Sequence, residues 1–307
     1  MIYDITHTTT YEYTDPVSLS QHTVRLHPRD LPRQRCLANR LVIDPRPAVA
    51  QWHFDYFGNW LTFVTIEGAH KQMAATSQSR VEVSSPDWPD PDRTPPWEAV
   101  RDFSMVYKAD DILEAREFIY GSPLVPKSRE FREYAEPSFR PRRPVLEAVL
   151  DLTARIHADF KFDPKATSVA TPLSEVLQAR RGVCQDFAQL EIACLRAIGV
   201  PARYMSGYIE TEPPPGKPRL AGADASHAWI SFFCPGAGWI EVDPTNNLLP
   251  TTRHITVAWG RDYSDVSPIR GVILGSGEHS LKVAVDVIPE SPTPEPGKLT
   301  EGPANES

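Results

Sequence analysis

Hydrophobic and polar residues alternate with a period of two at the start of the chain. Tyr3 and Ile5 are separated by a polar residue, and the apolar-rich run 60–66 directly follows Gly58-Asn59. This alternation is typical of strands that bury one face, and a glycine-asparagine pair between two such runs indicates a hairpin turn. The pattern therefore predicts an antiparallel β domain over residues 1–85.

Prolines then interrupt the pattern. Five of them lie between residues 86 and 96, and a packed strand or helix cannot run through such a stretch. We interpret residues 86–143 as a proline-rich connector that contains one helix, residues 110–120. Helical spacing returns in residues 144–160, and a short helix at 172–180 leads the chain to Gly182.

The clearest helical pattern follows Cys184. Gly182 allows a tight turn before it, and Gly199 provides the stop after about four turns. Cys184 should therefore be at the helix N-terminus, where free backbone N–H groups favour an anion such as a thiolate. The apolar positions recur at three- and four-residue steps: Phe187, Leu190, Cys194 and Ile198.

A base for this thiol is predicted further along the chain. Segments 226–233 and 238–244 are rich in β-branched and aromatic residues and flank a Cys-Pro-Gly-Ala turn, which predicts a β-hairpin. A hairpin centred on Pro235 places His227 opposite Asp243, with Cβ atoms roughly 5 Å apart. A carboxylate there can hold one imidazole nitrogen while the other faces the thiol.

Each member of this Cys/His/Asp group also has a simpler interpretation. Cys184 and His227 could be ordinary core residues, and Asp243 before a proline could belong to a turn. Their combination favours a catalytic triad of Cys184, His227 and Asp243. Asp186, in the first turn of the same helix, is explained by the helix dipole, so we leave it outside the triad.

The rest of the chain is predicted to be strands and loops. Residues 202–209 form a strand, and the Pro/Gly-rich loop 210–225 leads to the His227 strand as a rim of the cleft. Segment 281–287 alternates as a strand, for which we expect packing on the N-terminal sheet. Residues 290–307, rich in Pro, Glu, Gly and Ser, should be a disordered tail.

Charge and hydropathy narrow the class of protein. The formal net charge is −8 and no basic run occurs, which argues against nucleic acid or an anionic membrane surface as a partner. The first residues lack the pattern of a signal peptide, and no apolar run approaches the roughly 18 residues of a membrane span. The sequence therefore predicts a soluble, cytoplasmic protein.

Four cysteines in 307 residues do not make a disulfide framework. We interpret Cys36, Cys194 and Cys234 as small core residues. Ten helical residues separate Cys184 from Cys194, about 15 Å, which is too far for one tetrahedral ion. Neither a C-x₂₋₄-C pair nor an H-E-x-x-H motif occurs. The sequence predicts no metal and no other cofactor.

An aromatic cluster stands out between residues 52 and 60. It could form a ligand-stacking surface, but alternating aromatic residues in strands are more often core, and core is the interpretation we favour. The cluster consists of Trp52, Phe54, Tyr56, Phe57 and Trp60.

Six segments resemble the bacterial transglutaminase-like family, a branch of the papain-like thiol fold. Around the predicted triad they are GVCQDFAQLEIACLRAIGVPARYMSGY, DASHAWISF and GWIEVDPTNN. Elsewhere they are HPRDLPRQ, FDYFGNWLTF and WGRDYSDVSPIRGVILGSGEH. One departure is Gln189, where relatives often have histidine.

The resemblance implies an α+β fold. A papain-like transglutaminase core over residues 144–289, together with C-terminal strands, would pack the cysteine helix on an antiparallel sheet carrying the histidine and aspartate. The β-rich residues 1–85 would be the family's N-terminal region.

The resemblance also implies a thiol enzyme acting on a protein or peptide. Cys184 would attack a carboxamide or peptide carbonyl, form a thioester, and pass the acyl group to a lysine-like amine. Hydrolysis, as in a cysteine peptidase or amidase, stays open, and a non-catalytic binding module is a third alternative that the intact triad disfavours. The Cys184 backbone N–H is the natural oxyanion donor, and Gln178, at the spacing of the papain-like glutamine, is a second candidate.

Overall fold

The structure, a computed structural model, describes residues 1–106, 110–211 and 226–290. These residues form two antiparallel sheets, a short parallel strand pair and seven α-helices. The strands are β1 (Ile2–Val24), β2 (Gln34–Asp44), β3 (Val49–Phe54), β4 (Trp60–Val83), β5 (Lys161–Phe162), β6 (Arg181–Gly182), β7 (Ala202–Ile209), β8 (Ser226–Cys234), β9 (Gly238–Val242), β10 (His254–Gly260), β11 (Ile269–Leu274) and β12 (His279–Pro289). The helices are α1 (Trp97–Val106), α2 (Asp110–Glu117), α3 (Arg129–Ala135), α4 (Val145–Asp159), α5 (Leu173–Ala179), α6 (Cys184–Ile198) and α7 (Tyr263–Val266).

The first sheet is built on the long strands β1 and β4. Its order is β11-β1-β4-β2, with β12 also on β1 and β3 also on β4. Tyr3, Ile5 and His7 are buried on β1, so the alternating pattern correctly predicted which face is covered. Strand β12 pairs antiparallel with β1 from Tyr3↔Pro289 to Tyr13↔His279. The expected return of segment 281–287 to the N-terminal sheet is confirmed.

The second sheet has the order β10-β7-β8-β9, and α6 packs against it. Helix α6 begins at Cys184 and ends where Gly199 adopts the left-handed conformation, as predicted. One hydrophobic cluster connects the two sheets through α4 and α6; its members include Tyr3, Val285, Leu146, Leu190 and Ile230. The α+β fold with a transglutaminase-like arrangement of helix and sheet follows the expectation.

The turn between β8 and β9 is centred one residue later than predicted. Cys234 pairs with Gly238, so Gly236 rather than Pro235 lies at the centre. Gly236 and Gly238 have φ angles of 85° and 75°, in the left-handed region that glycine enters freely. The pattern of apolar residues contains no information about these angles, and the predicted register was therefore wrong.

The aromatic cluster is a second correction. Trp52, Phe54 and Tyr56 are 63%, 53% and 77% exposed, so they are not core residues. Strand β3 pairs only with β4 among the described strands, and all its residues are exposed. Trp60 on β4 contacts Trp52 and Phe54, with ring centroids 4.7 and 4.6 Å apart.

The structure also bears on the predictions for the cysteines, the helices and the loops. Cys36 on β2 is half-buried rather than core, whereas Cys194 and Cys234 are buried. Helices α1, α3 and α7 were not predicted. The predicted rim loop from residue 212 and the predicted tail from residue 291 lie outside the described residues, and the four-segment division of the chain stays a prediction. In the described ranges, no helix combines the length and apolarity needed to cross a bilayer.

Candidate active site

Cys184 is brought to the start of α6 by a tight turn. Asp186 folds back over this turn, and its Oδ2 accepts hydrogen bonds from the backbone N–H of Val183 at 2.8 Å and the hydroxyl of Thr167 at 2.6 Å. A Cβ atom on Gly182 would lie 2.6 Å from that oxygen, so a larger residue would displace Asp186. The half-buried Cys184 thus sits beside the free N–H groups of a 15-residue helix, where an anion is stabilised.

His227, on β8, faces Cys184 and is itself nearly enclosed. The Cys184 thiol lies close enough to the imidazole to raise the pKa of His227. The imidazole is 7% exposed and stacks on Trp229, with ring centroids 5.9 Å apart and an interplanar angle of 22°. The indole Nε1–H of Trp229 donates to Glu241 at 2.7 Å, which fixes the ring under the imidazole. The neighbourhood therefore leaves His227 little rotational freedom.

Asp243 contacts His227 although the two are not directly opposed. His227 pairs with Gly207 of β7, and Asp243 follows the end of β9 in a loop closed by a bridge to Leu248. The distance from Asp243 Oδ2 to His227 Nε2 is nevertheless 2.7 Å. The predicted contact between His227 and Asp243 is therefore present, although the predicted register was wrong. Asp243 reaches the imidazole from a loop and not from a paired strand position.

The Asp243 carboxylate is fully buried and accepts several further hydrogen bonds. Oδ1 accepts from the backbone N–H groups of Thr245 at 2.9 Å and Asn246 at 3.1 Å. Oδ2 accepts from Asn246 Nδ2 at 2.7 Å and from His254 Nε2 at 3.0 Å. Sequence reasoning missed Asn246 and His254, and only the spacing of a polar residue three positions after Asp243 could have indicated the first.

The charge states follow from these contacts. Burial lowers the pKa of His227, but its hydrogen bonds to Asp243 and Cys184 and their charges outweigh burial and raise the pKa to about 10. Burial acts to raise the pKa of Asp243, yet the bonds from His227 and His254 hold that pKa well below its ordinary value. Burial lowers the pKa of His254. At neutral pH the group therefore contains an imidazolium, a carboxylate and a neutral imidazole.

Comparison with known proteins places the chain in a family. The model of the bacterial transglutaminase-like N-terminal region matches residues 3–82, and that of the transglutaminase-like superfamily matches residues 132–244. An uncharacterized protein of Mycobacterium tuberculosis is 43% identical over 295 residues, which are 94% of this chain and 92% of the relative. The chain belongs to the bacterial transglutaminase-like family.

Two more distant similarities extend the comparison for this transglutaminase-like chain. A protein-glutamine gamma-glutamyltransferase of Pseudomonas aeruginosa is 32% identical over 107 residues, which are 32% of this chain but 16% of that protein. A crystal structure from Cytophaga hutchinsonii, proposed to be a cysteine protease, is similar with a TM-score of 0.74 and 23% identity, covering 96% of this chain and 93% of that one. The second similarity shows a shared fold. The superfamily as a whole supports a thiol enzyme.

Among the residues that the structure describes, one group of three side chains could hold a metal ion, and it lies in this site. Nε2 of His227, Nε2 of His254 and Oδ2 of Asp243 lie within 4.8 Å of one another. Both nitrogens are already at hydrogen-bond distances of 2.7 and 3.0 Å from the same oxygen, so hydrogen bonds account for the arrangement. The expectation that no metal or cofactor is used stays a prediction.

The structure shows the surroundings of the other residues that the sequence analysis singled out. Gln178 is inside α5 with an exposed side chain, and its oxyanion role stays a prediction. Gln189 accepts a hydrogen bond from the backbone N–H of Tyr263 at 3.4 Å, so it anchors α7. Burial raises the pKa of Cys36 and of Cys234 to about 11 each.

One buried acid near the site was not predicted. Glu191 lies in the middle of α6 and is 0% exposed. Its Oε1 accepts a hydrogen bond from the Thr153 hydroxyl at 2.6 Å, while its Oε2 has no partner among the described residues. Burial raises the pKa of Glu191 to about 8, and the nearby charge of Asp243 acts in the same direction. Glu191 is therefore mainly protonated at neutral pH.

Proposed function

We propose that the protein is a transglutaminase-like acyltransferase in which Cys184, His227 and Asp243 form the catalytic triad. The single observation that supports this best is the position of His227: its Nε2 is 2.7 Å from a buried carboxylate, and the nearby Cys184 thiol raises its pKa. An imidazolium so held can stabilise a thiolate and supply a proton to a leaving group. The acyl donor would be a protein or peptide.

The first half of the reaction begins with the proton on His227. The Cys184 thiolate attacks the carbonyl carbon of a glutamine side chain, and the imidazolium of His227 gives its proton to the departing ammonia. A thioester on Cys184 remains, with the imidazole neutral. In this proposal the backbone N–H of Cys184 donates to the oxyanion that forms during attack.

The second half regenerates the enzyme. A primary amine, such as a lysine side chain, attacks the thioester and loses a proton to His227, and the Cys184 thiolate departs. Asp243 keeps the imidazole oriented and stabilises its positive charge whenever the proton is present. Atoms and charge balance without a metal or a redox cofactor.

Hydrolysis is the second candidate. Water in place of the amine would release a carboxylate from the same thioester, which would make the protein a cysteine peptidase or amidase. The fold shared with the Cytophaga hutchinsonii structure supports this alternative, and the P. aeruginosa relative supports acyl transfer. A cytoplasmic location, and the absence of nucleic acid as a partner, stay predictions.

A direct experiment separates these activities. The protein is incubated with a mixed pool of proteins and a fluorescent primary amine, and the products are analysed by mass spectrometry. Incorporation of the amine at glutamine with loss of ammonia supports acyl transfer, whereas new chain termini, or conversion of glutamine to glutamate in place of amine incorporation, indicate hydrolysis. The Cys184→Ala variant should be inactive, and Cys36→Ala, which removes a half-buried thiol on β2, is the matched control. Equal activity of both variants would contradict the proposal.

A further inference from the structure

Among the described residues, the side chain of His254 makes one hydrogen bond, and it is directed at the proposed triad. Its Nε2 lies 3.0 Å from Asp243 Oδ2, the oxygen that also accepts from His227. Its Nδ1 is buried without a hydrogen-bond partner in the part of the chain that the structure describes. Because a carboxylate only accepts hydrogen bonds, the ring must carry its proton on Nε2. The side chain is 1% exposed, so this N–H group is held in place by packing.

The hydrogen bonds to the Asp243 carboxylate come partly from its own loop and partly from two strands. The backbone N–H groups that contact Oδ1 belong to Thr245 and Asn246, and the Asn246 side chain reaches Oδ2 from the same loop. These contacts fix the carboxylate relative to the loop, and the loop is tied to α4 where His157 Nδ1 lies 2.9 Å from Thr245 O. Two contacts to Oδ2 come from strands: His227 contacts it from β8, and His254, the first residue of β10, contacts it from β10.

Hydrogen bonds connect strand β10 to the N-terminal region. It is an edge strand of the second sheet, and the Gln34 side chain pairs with it as a backbone amide would. Gln34 Nε2 donates to Thr256 O at 2.7 Å, and Thr256 N donates to Gln34 Oε1 at 2.7 Å. The backbone N–H of Arg29 donates to the same Thr256 oxygen at 3.2 Å. Residue 256 is two positions from His254.

We propose that His254 is a positioning residue for the reaction: its Nε2–H aligns the Asp243 carboxylate with His227, and Gln34 of the N-terminal region holds the strand that carries it. The inference rests on the proposed role of Cys184 as nucleophile. A neutral donor suits this task, because it orients the carboxylate without neutralising the charge that His227 needs.

Two substitutions separate hydrogen bonding from packing. His254→Phe keeps an aromatic ring against Trp229, whose ring centroid is 5.3 Å away, but removes the N–H group. His254→Gln keeps a terminal N–H at the position of Nε2 but removes the ring. We expect the Phe variant to lose about 10- to 100-fold in kcat with little change in KM, as for the loss of one hydrogen bond to a charged group. The Gln variant should retain kcat within about threefold.

The rate of alkylation of Cys184 by iodoacetamide provides a measurement that needs no substrate. We expect it to fall in the Phe variant by a factor similar to that in kcat, and to be preserved in the Gln variant, with thermal unfolding confirming that both are folded. If Phe at this position prevents folding, His254→Met removes the donor with a flexible side chain of similar volume. Preserved rates in Phe or Met, or an equal loss in Gln, would overturn the positioning role.

The proposed function and this inference fail in different ways. Selective alkylation of wild-type Cys184 without any turnover of amide substrates would refute the acyl-transfer and hydrolysis proposals, while the comparison of Phe and Gln variants by alkylation still decides the role of His254. Turnover that persists in Cys184→Ala would overturn both.

Discussion

Two buried carboxyl groups, those of Asp243 and Glu191, have different charge states at neutral pH: the first is ionised and the second is neutral. The region around Asp243 supplies donors from two histidines, an asparagine side chain and two backbone N–H groups, and the carboxylate stays ionised. The region around Glu191 supplies one hydroxyl, from Thr153, and the carboxyl group keeps its proton up to a pKa of about 8. Burial opposes ionisation in both. The number and charge of the donors decide the outcome.

The first way to test this comparison is to replace each carboxyl group by the corresponding amide. Asp243→Asn should lower kcat by about 10- to 1,000-fold while the fold is retained, because the imidazolium loses its partner. Glu191→Gln should leave kcat within about threefold, because the amide resembles a carboxyl group that is already neutral. Steady-state kinetics at pH 7 measure both. A large loss in the Glu191 variant would show that this acid takes part in the reaction.

The pH dependence of stability sharpens the contrast. The pKa of Glu191 in the folded chain is raised above that of an ordinary glutamate, so the unfolded chain ionises first, and folding loses stability as the pH rises from about 4.5 to 8. Replacement by Gln removes this loss. The variant should therefore gain on wild type with rising pH, by on the order of 3 kcal/mol at pH 8. Thermal unfolding at pH 5 and pH 8 measures the difference.

The control for this measurement is Glu175→Gln, which removes an exposed carboxyl group on α5. Its stability relative to wild type should not change appreciably over the same pH range. A Glu191 variant that behaves like the Glu175 variant would mean that Glu191 ionises normally in the folded chain.

The third test follows the proton on His227. The pKa of His227 is raised to about 10 by bonds and charges that include those of Asp243, so the imidazolium persists below that pH and is lost as the pH rises through it. In Asp243→Asn the midpoint should fall by about 1 to 3 pH units. Nitrogen-15 NMR of the histidine rings records the titration. An unchanged midpoint would indicate that Cys184 alone holds the proton.

The smallest expected effect concerns the four thiols. Burial raises the pKa of Cys36 and Cys234 to about 11, and Cys194 is buried as well, so few of these thiols are ionised at neutral pH. Cys184 should be alkylated at least about tenfold faster than any of them. Peptide mapping after brief treatment with iodoacetamide measures the order of reaction. Faster labelling of Cys36 would contradict the assignment of the nucleophile.

Local patterns predicted α6 well because its determinants are close in sequence. The apolar spacing after Cys184, and glycines at 182 and 199, specify where the helix begins and ends without reference to the rest of the chain. The pairing of His227 with Asp243 was also predicted, although from a hairpin centred one residue too early, which shifts the strand register by two residues. Both the turn angles and the loop after β9 depend on backbone conformations that hydrophobic periodicity does not encode.

Longer-range features could not be predicted in this way. His254 lies eleven residues from Asp243, and β10 and β9 are opposite edges of the second sheet, so the two side chains meet only through the path of the segment that connects these strands. The aromatic residues Trp52 and Phe54 have the composition of a core strand, yet they sit on a strand covered on neither face. Alternation predicts a strand, but only the tertiary arrangement determines which strand lies at an edge.

The pairing of β1 with β11 and β12 has a consequence for synthesis of the chain. Strand β1 is translated before β4 and can pair with it soon afterwards, whereas β11 and β12, on its other side, follow the entire second sheet. At typical translation rates this interval is on the order of tens of seconds. During that time one edge of a 23-residue strand has no partner in the native sheet. That edge of β1 is where a chaperone would most effectively protect the nascent protein against aggregation.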